Sequence, residues 1–223
     1  RMATPVTLIP GDGIGPNIAD ATVRILDAAG AGLQWEEQTA GMAAVSRHGD
    51  PLPQQTIDSI RRTGLALKGP LETPIGEGFR SINVALRRTF GLYANVRPAR
   101  TIVAGGRYEQ VDLVLIRENT QGVYAGIEHY MPIGDDPRAA AESTALITRD
   151  ASEAIVRYAF EYAVAHGRKK ITIVHKANIL KFSQGLFLQA GRDVARQYVG
   201  RGVEFEEKII DAMAMNLVLR PEK

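Results

Sequence analysis

The chain has 223 residues, 45% of them hydrophobic and 23% charged, a balance that excludes a disordered segment and supports one large or two modest domains without disulfides or metals. Its formal charge of only +2 argues against nucleic acid as the main partner, and no apolar run approaches the roughly 20 residues of a membrane span. The absence of cysteine excludes disulfides, thiolate metal sites and a cysteine nucleophile, and with no signal-like N-terminus it makes a soluble cytoplasmic protein without membrane contact the expectation.

Taken in chain order, the pattern predicts a strand over 6–9, a helix over 16–29, a strand over 33–39, a helix over 54–62 and a strand over 65–67. That rhythm is the one of an α/β domain with parallel strands. A helix over 81–90 leads into an extended run at 92–96, and the apolar run at 111–116 reads as a buried strand. The stretch 126–144 is polar and reads as turn-rich. A helix over 151–165, a strand over 171–174, a helix over 184–198 and a strand over 203–210 restore the α/β alternation. An amphipathic helical segment with Met213, Leu217 and Val218 closes it. There is no internal repeat and no long linker.

Several of these segments carry chemistry. Gly11-Asp12-Gly13-Ile14-Gly15-Pro16 follows a strand and opens a helix, with Pro16 suited to the first helical turn. Its amides either receive an anion or simply turn the chain, and its alternate glycines are not the dinucleotide-binding fingerprint. The Gly- and Pro-rich loop from Lys68 to Arg80 is costly to order unless it binds something. It delivers Ser81 and Asn83 to a helix N-terminus, with Arg87 one turn further on the same face. Arg97 and Arg117 each end a strand-like run, the place where open α/β sheets bind ligands.

Guanidinium groups grip carboxylates in pairs of hydrogen bonds, so three of them in one place suit a polycarboxylate. At an effective dielectric near 20 each close pair contributes about 4 kcal/mol of gross attraction before desolvation. Tyr124 is a proton donor for such a pocket. Lys176 follows the strand at 171–174, and a lysine set among cations has its ammonium form disfavoured and can serve as a base. Packed tyrosine and surface lysine are the plainer alternatives. His48, His129, His166 and His175 lack metal-ligand spacing. Asp211 is either a ligand for a hard cation or a helix N-cap.

Read together, Ile9-Pro10-Gly11-Asp12-Gly13-Ile14-Gly15-Pro16, Leu92-Tyr93-Ala94-Asn95-Val96-Arg97-Pro98, Ile116-Arg117-Glu118-Asn119-Thr120 and His175-Lys176-Ala177-Asn178-Ile179-Leu180 resemble the β-decarboxylating dehydrogenases. That family comprises the isocitrate, homoisocitrate and 3-isopropylmalate dehydrogenases. The segment Ser81-Ile82-Asn83 resembles the isocitrate enzymes, in which serine and asparagine meet the third carboxylate.

The resemblance implies a doubly wound α/β fold of its own, distinct from the Rossmann fold, with residues 1–92 opening a large domain. Residues 93–121 and 148–223 would form a small domain and 122–147 a clasp between subunits of a homodimer with shared active sites. It puts Ser81, Asn83, Arg87, Arg97 and Arg117 on isocitrate and makes Tyr124 and Lys176 the acid–base pair. It assigns Asp211 to Mg²⁺ or Mn²⁺ and sets Glu72, Thr73 and Asn178 near the nicotinamide. Lys176 and Asp211 would serve the neighbouring subunit. The Leu92–Val96 segment and Glu72 resemble NAD-dependent members, with NADP the alternative. Family members continue further, so an incomplete large domain is expected here. Homoisocitrate or 3-isopropylmalate dehydrogenase, or a non-catalytic tricarboxylate-binding subunit or fragment, are the competing readings.

Overall fold

The computed structural model describes residues 3–72, 81–106, 108, 109 and 111–220. Thr73, expected near the nicotinamide, lies outside them. The chain divides into two compact units, Arg1–Leu86 and Arg87–Lys223.

The first unit is built on three parallel strands, β1 (Thr4–Ile9), β2 (Leu33–Glu37) and β3 (Ala66–Lys68), in the order β2-β1-β3. As the middle strand, β1 buries Val6, Thr7, Leu8 and Ile9 in succession, the continuous pattern of a strand covered on both faces. Around it run α1 (Gly15–Ala28), α2 (Met42–His48) and α3 (Gln54–Thr63). The Thr7 hydroxyl would be a buried orphan, and it meets Ser59 Oγ at 2.8 Å and Thr63 Oγ1 at 2.9 Å, so α3 is fixed to the sheet by hydroxyls.

The turn between β1 and α1 is a backbone joint. Asp12 N donates to Pro70 O at 2.8 Å and Gly69 N to Ile9 O at 2.8 Å. Gly11 has φ +90°, and a Cβ there would lie 2.1 Å from Pro70 O. The buried Asp12 carboxylate accepts from Ala43 N at 3.2 Å and from Glu72 N at 2.9 Å. It thereby caps the first turn of α2 and pins the segment after β3. These bonds account for the glycine-rich motif as structure. Gly11→Ala is expected to cost about 3 kcal/mol or more, from left-handed strain plus a backbone clash. Denaturant unfolding tests this, and an unchanged midpoint would refute the joint.

The second unit begins inside α4 (Ile82–Thr89), whose Ile82 and Leu86 are buried while Arg87 and Arg88 close its last turn. There follow β4 (Ala94–Arg100) and β5 (Asp112–Glu118), then β6 (Gly122–Ile133) and β7 (Asp136–Leu146). Next come α5 (Arg149–Ala165), β8 (Lys170–His175), α6 (Ser183–Arg196), β9 (Glu204–Ile209) and α7 (Ile210–Leu219). β8 and β9 pair in parallel, with α6 between them in sequence. The core gathers Ile155, Val156 and Phe160 of α5 with Ile173, Leu188 and Val194. Phe160 stacks on Tyr198 with ring centres 4.6 Å apart.

The parallel pairing expected of the first strands holds for β1–β3 and recurs in β8–β9, whereas β4–β5 and β6–β7 are antiparallel. Two expectations change. The stretch expected to be turn-rich is a hairpin of two long strands, β6 and β7, exposed along most of their length. Neither face enters a core, so its strands lack the alternation that marks a half-buried sheet. Asp211 is not an N-cap: that position belongs to Ile209, and Asp211 sits in the first turn of α7, where a carboxylate suits the helix dipole.

Candidate active site

The register of β4 and β5 explains how two of the three arginines come to one place. Asn95 faces Arg117 across the ladder, and Arg97 faces Leu115. Side chains two apart share a face, so Asn95, Arg97 and Arg117 stand together. The alternate residues Ala94 and Ile116 pack on the core of α5, α6 and β8. Burial of one face thus commits the other to cations. Arg97 is a mid-strand residue of this face rather than the end of a strand, because β4 runs on to Arg100. Its Nε donates to Asn95 Oδ1 at 3.0 Å.

Tyr124 of β6 is the group these cations surround. The Arg117 guanidinium lies 5.2 Å from the centre of its ring and that of Arg87 6.0 Å. A hydrogen bond from Arg117 and then its charge hold the Tyr124 phenol below the ordinary tyrosine range, with Arg87 and Arg97 adding to the effect and desolvation opposing it. Arg87, Arg97, Arg117 and Tyr124 therefore form one cluster. The turn beside it is built by Glu118, whose carboxylate accepts from Thr120 N at 2.9 Å and Gln121 N at 2.8 Å. Gln121 is tied in turn to Thr148, the N-cap of α5, whose N donates to Gln121 Oε1 at 2.9 Å. Glu118 and Gln121 escaped the sequence reading because their role is to hold a turn, which leaves no spacing signature.

A second cluster forms at the carboxyl ends of β8 and β9. Parallel pairing aligns His175 with Ile209, so the residues just beyond them, Lys176 and Asp211, meet at the same end of the sheet. Lys176 Nζ forms an ion pair with Asp211 Oδ2. A hydrogen bond from Lys176 keeps the Asp211 carboxyl below the usual range against desolvation, with the charge of Lys176 adding to the effect. The neighbour of Lys176 is thus a carboxylate, where the sequence reading expected cations. Two side chains fix the turn carrying it: Lys176 N donates to Gln184 Oε1 at 3.2 Å and Ala177 N to His175 Nδ1 at 3.1 Å. The buried His175 belongs to this scaffold, and its acceptor role at Nδ1 puts the ring proton of the neutral form on Nε2.

Of the other expected site residues, Ser81 directly precedes α4 and its carbonyl accepts from Ala85 N at 3.0 Å. Asn83 is in the first turn of the same helix. Glu72 is exposed, its backbone N held by Asp12, and Asn178 is exposed on the turn after Lys176. Their free side chains offer carboxylate and carboxamide partners of the kind that suit a nicotinamide amide. Among the described residues there is no group of three or more His, Cys, Asp or Glu able to hold a metal ion. Asp211, with its side chain 66% exposed, fits as one hard oxygen donor to Mg²⁺ or Mn²⁺, cations that usually keep waters and take other ligands besides.

Comparison with known proteins gives these residues a context. A family model described as isocitrate/isopropylmalate dehydrogenase matches residues 5–223. The probable mitochondrial isocitrate dehydrogenase (NAD) subunit alpha of Drosophila melanogaster is 47% identical over 98% of this chain and 56% of its own length. The chloroplastic 3-isopropylmalate dehydrogenase of Solanum tuberosum is 44% identical over 96% of this chain and 58% of its own. The crystal structure of isocitrate dehydrogenase from Methylococcus capsulatus superposes with a TM-score of 0.92 at 52% identity, covering 98% of this chain and 64% of that one. The α/β fold is therefore that of this structural group, and the chain spans little more than half the length of the curated relatives it matches. The cytoplasmic expectation is overturned, since the isocitrate dehydrogenase relatives are mitochondrial by name. A chain without cysteine is indifferent to its redox compartment and carried no information on this point. Those relatives also bear subunit designations, which leaves the homodimer without support from them.

Proposed function

The chain belongs to the isocitrate/isopropylmalate dehydrogenase family, and from that premise we propose that it serves the oxidative decarboxylation of isocitrate to 2-oxoglutarate and carbon dioxide. The observation that carries this reading is the convergence of Arg87, Arg97 and Arg117 on Tyr124. Cations brought together on one face repel one another unless an anion of matching charge joins them. A tricarboxylate supplies that charge, and Ser81 and Asn83 at the start of α4 add neutral donors for its third carboxylate.

In this reading Lys176 is the base for the C2 hydroxyl proton, acting as the neutral amine and so only once its ion pair with Asp211 is released. Tyr124, held in its cationic surroundings, returns a proton to C3 once carbon dioxide has left. Glu72, Thr73 and Asn178 would hold the nicotinamide end of NAD, and Asp211 would ligate Mg²⁺ or Mn²⁺. When bound, these supply a hydride acceptor and a Lewis acid. The neighbours of Lys176 and those of Tyr124 are different residues, which fits a site shared between two chains, Lys176 and Asp211 serving the second. A second copy or a related subunit would complete it, with 122–147 as the clasp, 1–92 in the large domain and 93–121 with 148–223 in the small one.

The Solanum tuberosum relative makes 3-isopropylmalate the second substrate to consider, with homoisocitrate beside it. Polar Ser81 and Asn83 disfavour an isopropyl group, which would leave them unpaired. A binding subunit without turnover is disfavoured by the presence of both Tyr124 and Lys176. The test is an assay of the protein with Mn²⁺ and each of the three acids, following NAD and NADP reduction in parallel. Reduction of NAD with isocitrate is the expected result, reduction of NADP alone would correct the cofactor, and turnover of only another acid would overturn the substrate. Isocitrate-dependent stabilisation without turnover would identify a binding subunit.

A further inference from the structure

The hairpin that carries Tyr124 is broken where the tyrosine sits. Gly122 pairs with Leu146, and the next pair is Ile127 with Thr144, so residues 123–126 of β6 face only Ala145 of β7. Gly122 and Gly126, at φ +71° and +67°, turn the chain out of the ladder and back again. The carbonyls of Tyr124 and Ala125 lie in this interruption of the register. Arg88 supplies a donor to both: its Nη2 lies 2.8 Å from Tyr124 O and 2.6 Å from Ala125 O. Its neighbour Arg87 faces the Tyr124 ring. The last turn of α4 thus grips Tyr124 at both ends, backbone through Arg88 and phenol side through Arg87.

We propose that Arg88 is a positioning residue of the candidate active site, fixing the β6 bulge so that the Tyr124 ring stays against Arg117. Its catalytic consequence rests on the role given to Tyr124 under the proposed function; the positioning itself does not. Arg88 touches no group expected to react, and its bonds are made at the surface, where a hydrogen bond to a carbonyl adds little to global stability. What it adds is geometry. The charged groups facing the phenol are Arg117, Arg87 and Arg97, so a displaced bulge carries Tyr124 out of their reach.

The test is titration of Tyr124 by NMR, with ring-labelled tyrosine, in the unaltered protein, in Arg88→Met and in Arg88→Gln, together with kcat and the KM for isocitrate. Methionine removes donor and charge, whereas glutamine keeps an amide donor without charge. In the unaltered protein Tyr124 is expected to titrate below the ordinary tyrosine range. In Arg88→Met it should move up toward that range, with kcat down at least about tenfold and KM within twofold, and Arg88→Gln should recover much of both. An unmoved Tyr124 in Arg88→Met would overturn the proposal, as would equal shifts in the two variants, which would reveal a simple charge effect. If the unaltered protein does not turn over isocitrate, the proposed function fails while the titration still decides the role of Arg88.

Discussion

Replacing Lys176 by methionine is expected to lower kcat for isocitrate by about 10³-fold, the middle of the range for a positioned general base, while isocitrate affinity changes by less than about fivefold. The reasoning starts from what the side chain touches. Lys176 Nζ is paired with Asp211 and its backbone is held by Gln184 and by the His175–Ala177 hydrogen bond. None of these contacts is with Arg87, Arg97 or Arg117, the groups expected to hold carboxylates. Methionine keeps the length of the stem and leaves the turn intact, so the backbone bonds survive. The exposed Asp211 loses a half-buried partner, an interaction worth little to stability where one member is open to water, and its carboxyl returns toward the ordinary carboxylate range. Steady-state kinetics with calorimetric titration of isocitrate separates the two terms. Comparable losses in kcat and affinity would make Lys176 a binding residue instead.

What the sequence carried of this site was the part fixed by local pattern. The apolar run before Arg117 and the run before Lys176 announced themselves as strands, although β5, expected to be buried, is only partly covered and exposes Leu115. The residue that follows such a run is placed by the end of the strand. Helices α1, α3, α5 and α6 were visible from their 3.6-residue periodicity. Pairing direction was legible for β1, β2 and β3 through their alternation with helices, but not for β4 and β5, because a run of β-branched residues reads the same in either orientation. The antiparallel register of β4 and β5 is what sets Asn95 and Arg97 beside Arg117, and it depends on the return path of the chain between residues 100 and 112. Helix α2 was missed for a different reason. Its seven residues, Met42–His48, lie between Gly41 and Gly49, too short for a periodic signal, and its first turn is held by Asp12, thirty-one residues away from Ala43. Arg88 was hidden for the same cause as Asp12. Both act on backbone groups that only the folded chain brings near.

Replacing Arg117 by leucine is expected to cost at least about 3 kcal/mol in kcat/KM for isocitrate, on the order of 100-fold or more. A guanidinium that grips a carboxylate through paired charge-assisted bonds has no substitute in an aliphatic side chain. The fold should bear the change well. Arg117 stands on the face of β5 turned away from the α5 core, leucine suits a strand, and removing one of three converging cations relieves repulsion in the empty site. The same substitution makes a prediction about pH. Arg117 is the largest cause of the low Tyr124 phenol, and a cation favours the phenolate, so its loss must raise that phenol toward the ordinary range. If Tyr124 works as an acid it is active only while protonated. Activity in the unaltered enzyme then falls as pH rises through the lowered value, and in Arg117→Leu the alkaline limb moves to higher pH while the remaining rate is small. Steady-state kinetics of both proteins across pH, with isocitrate varied at each pH so that kcat and kcat/KM are both resolved, tests the two consequences together. An unchanged kcat/KM would remove Arg117 from the substrate, and a limb that stays in place would remove Tyr124 as the acid that titrates it.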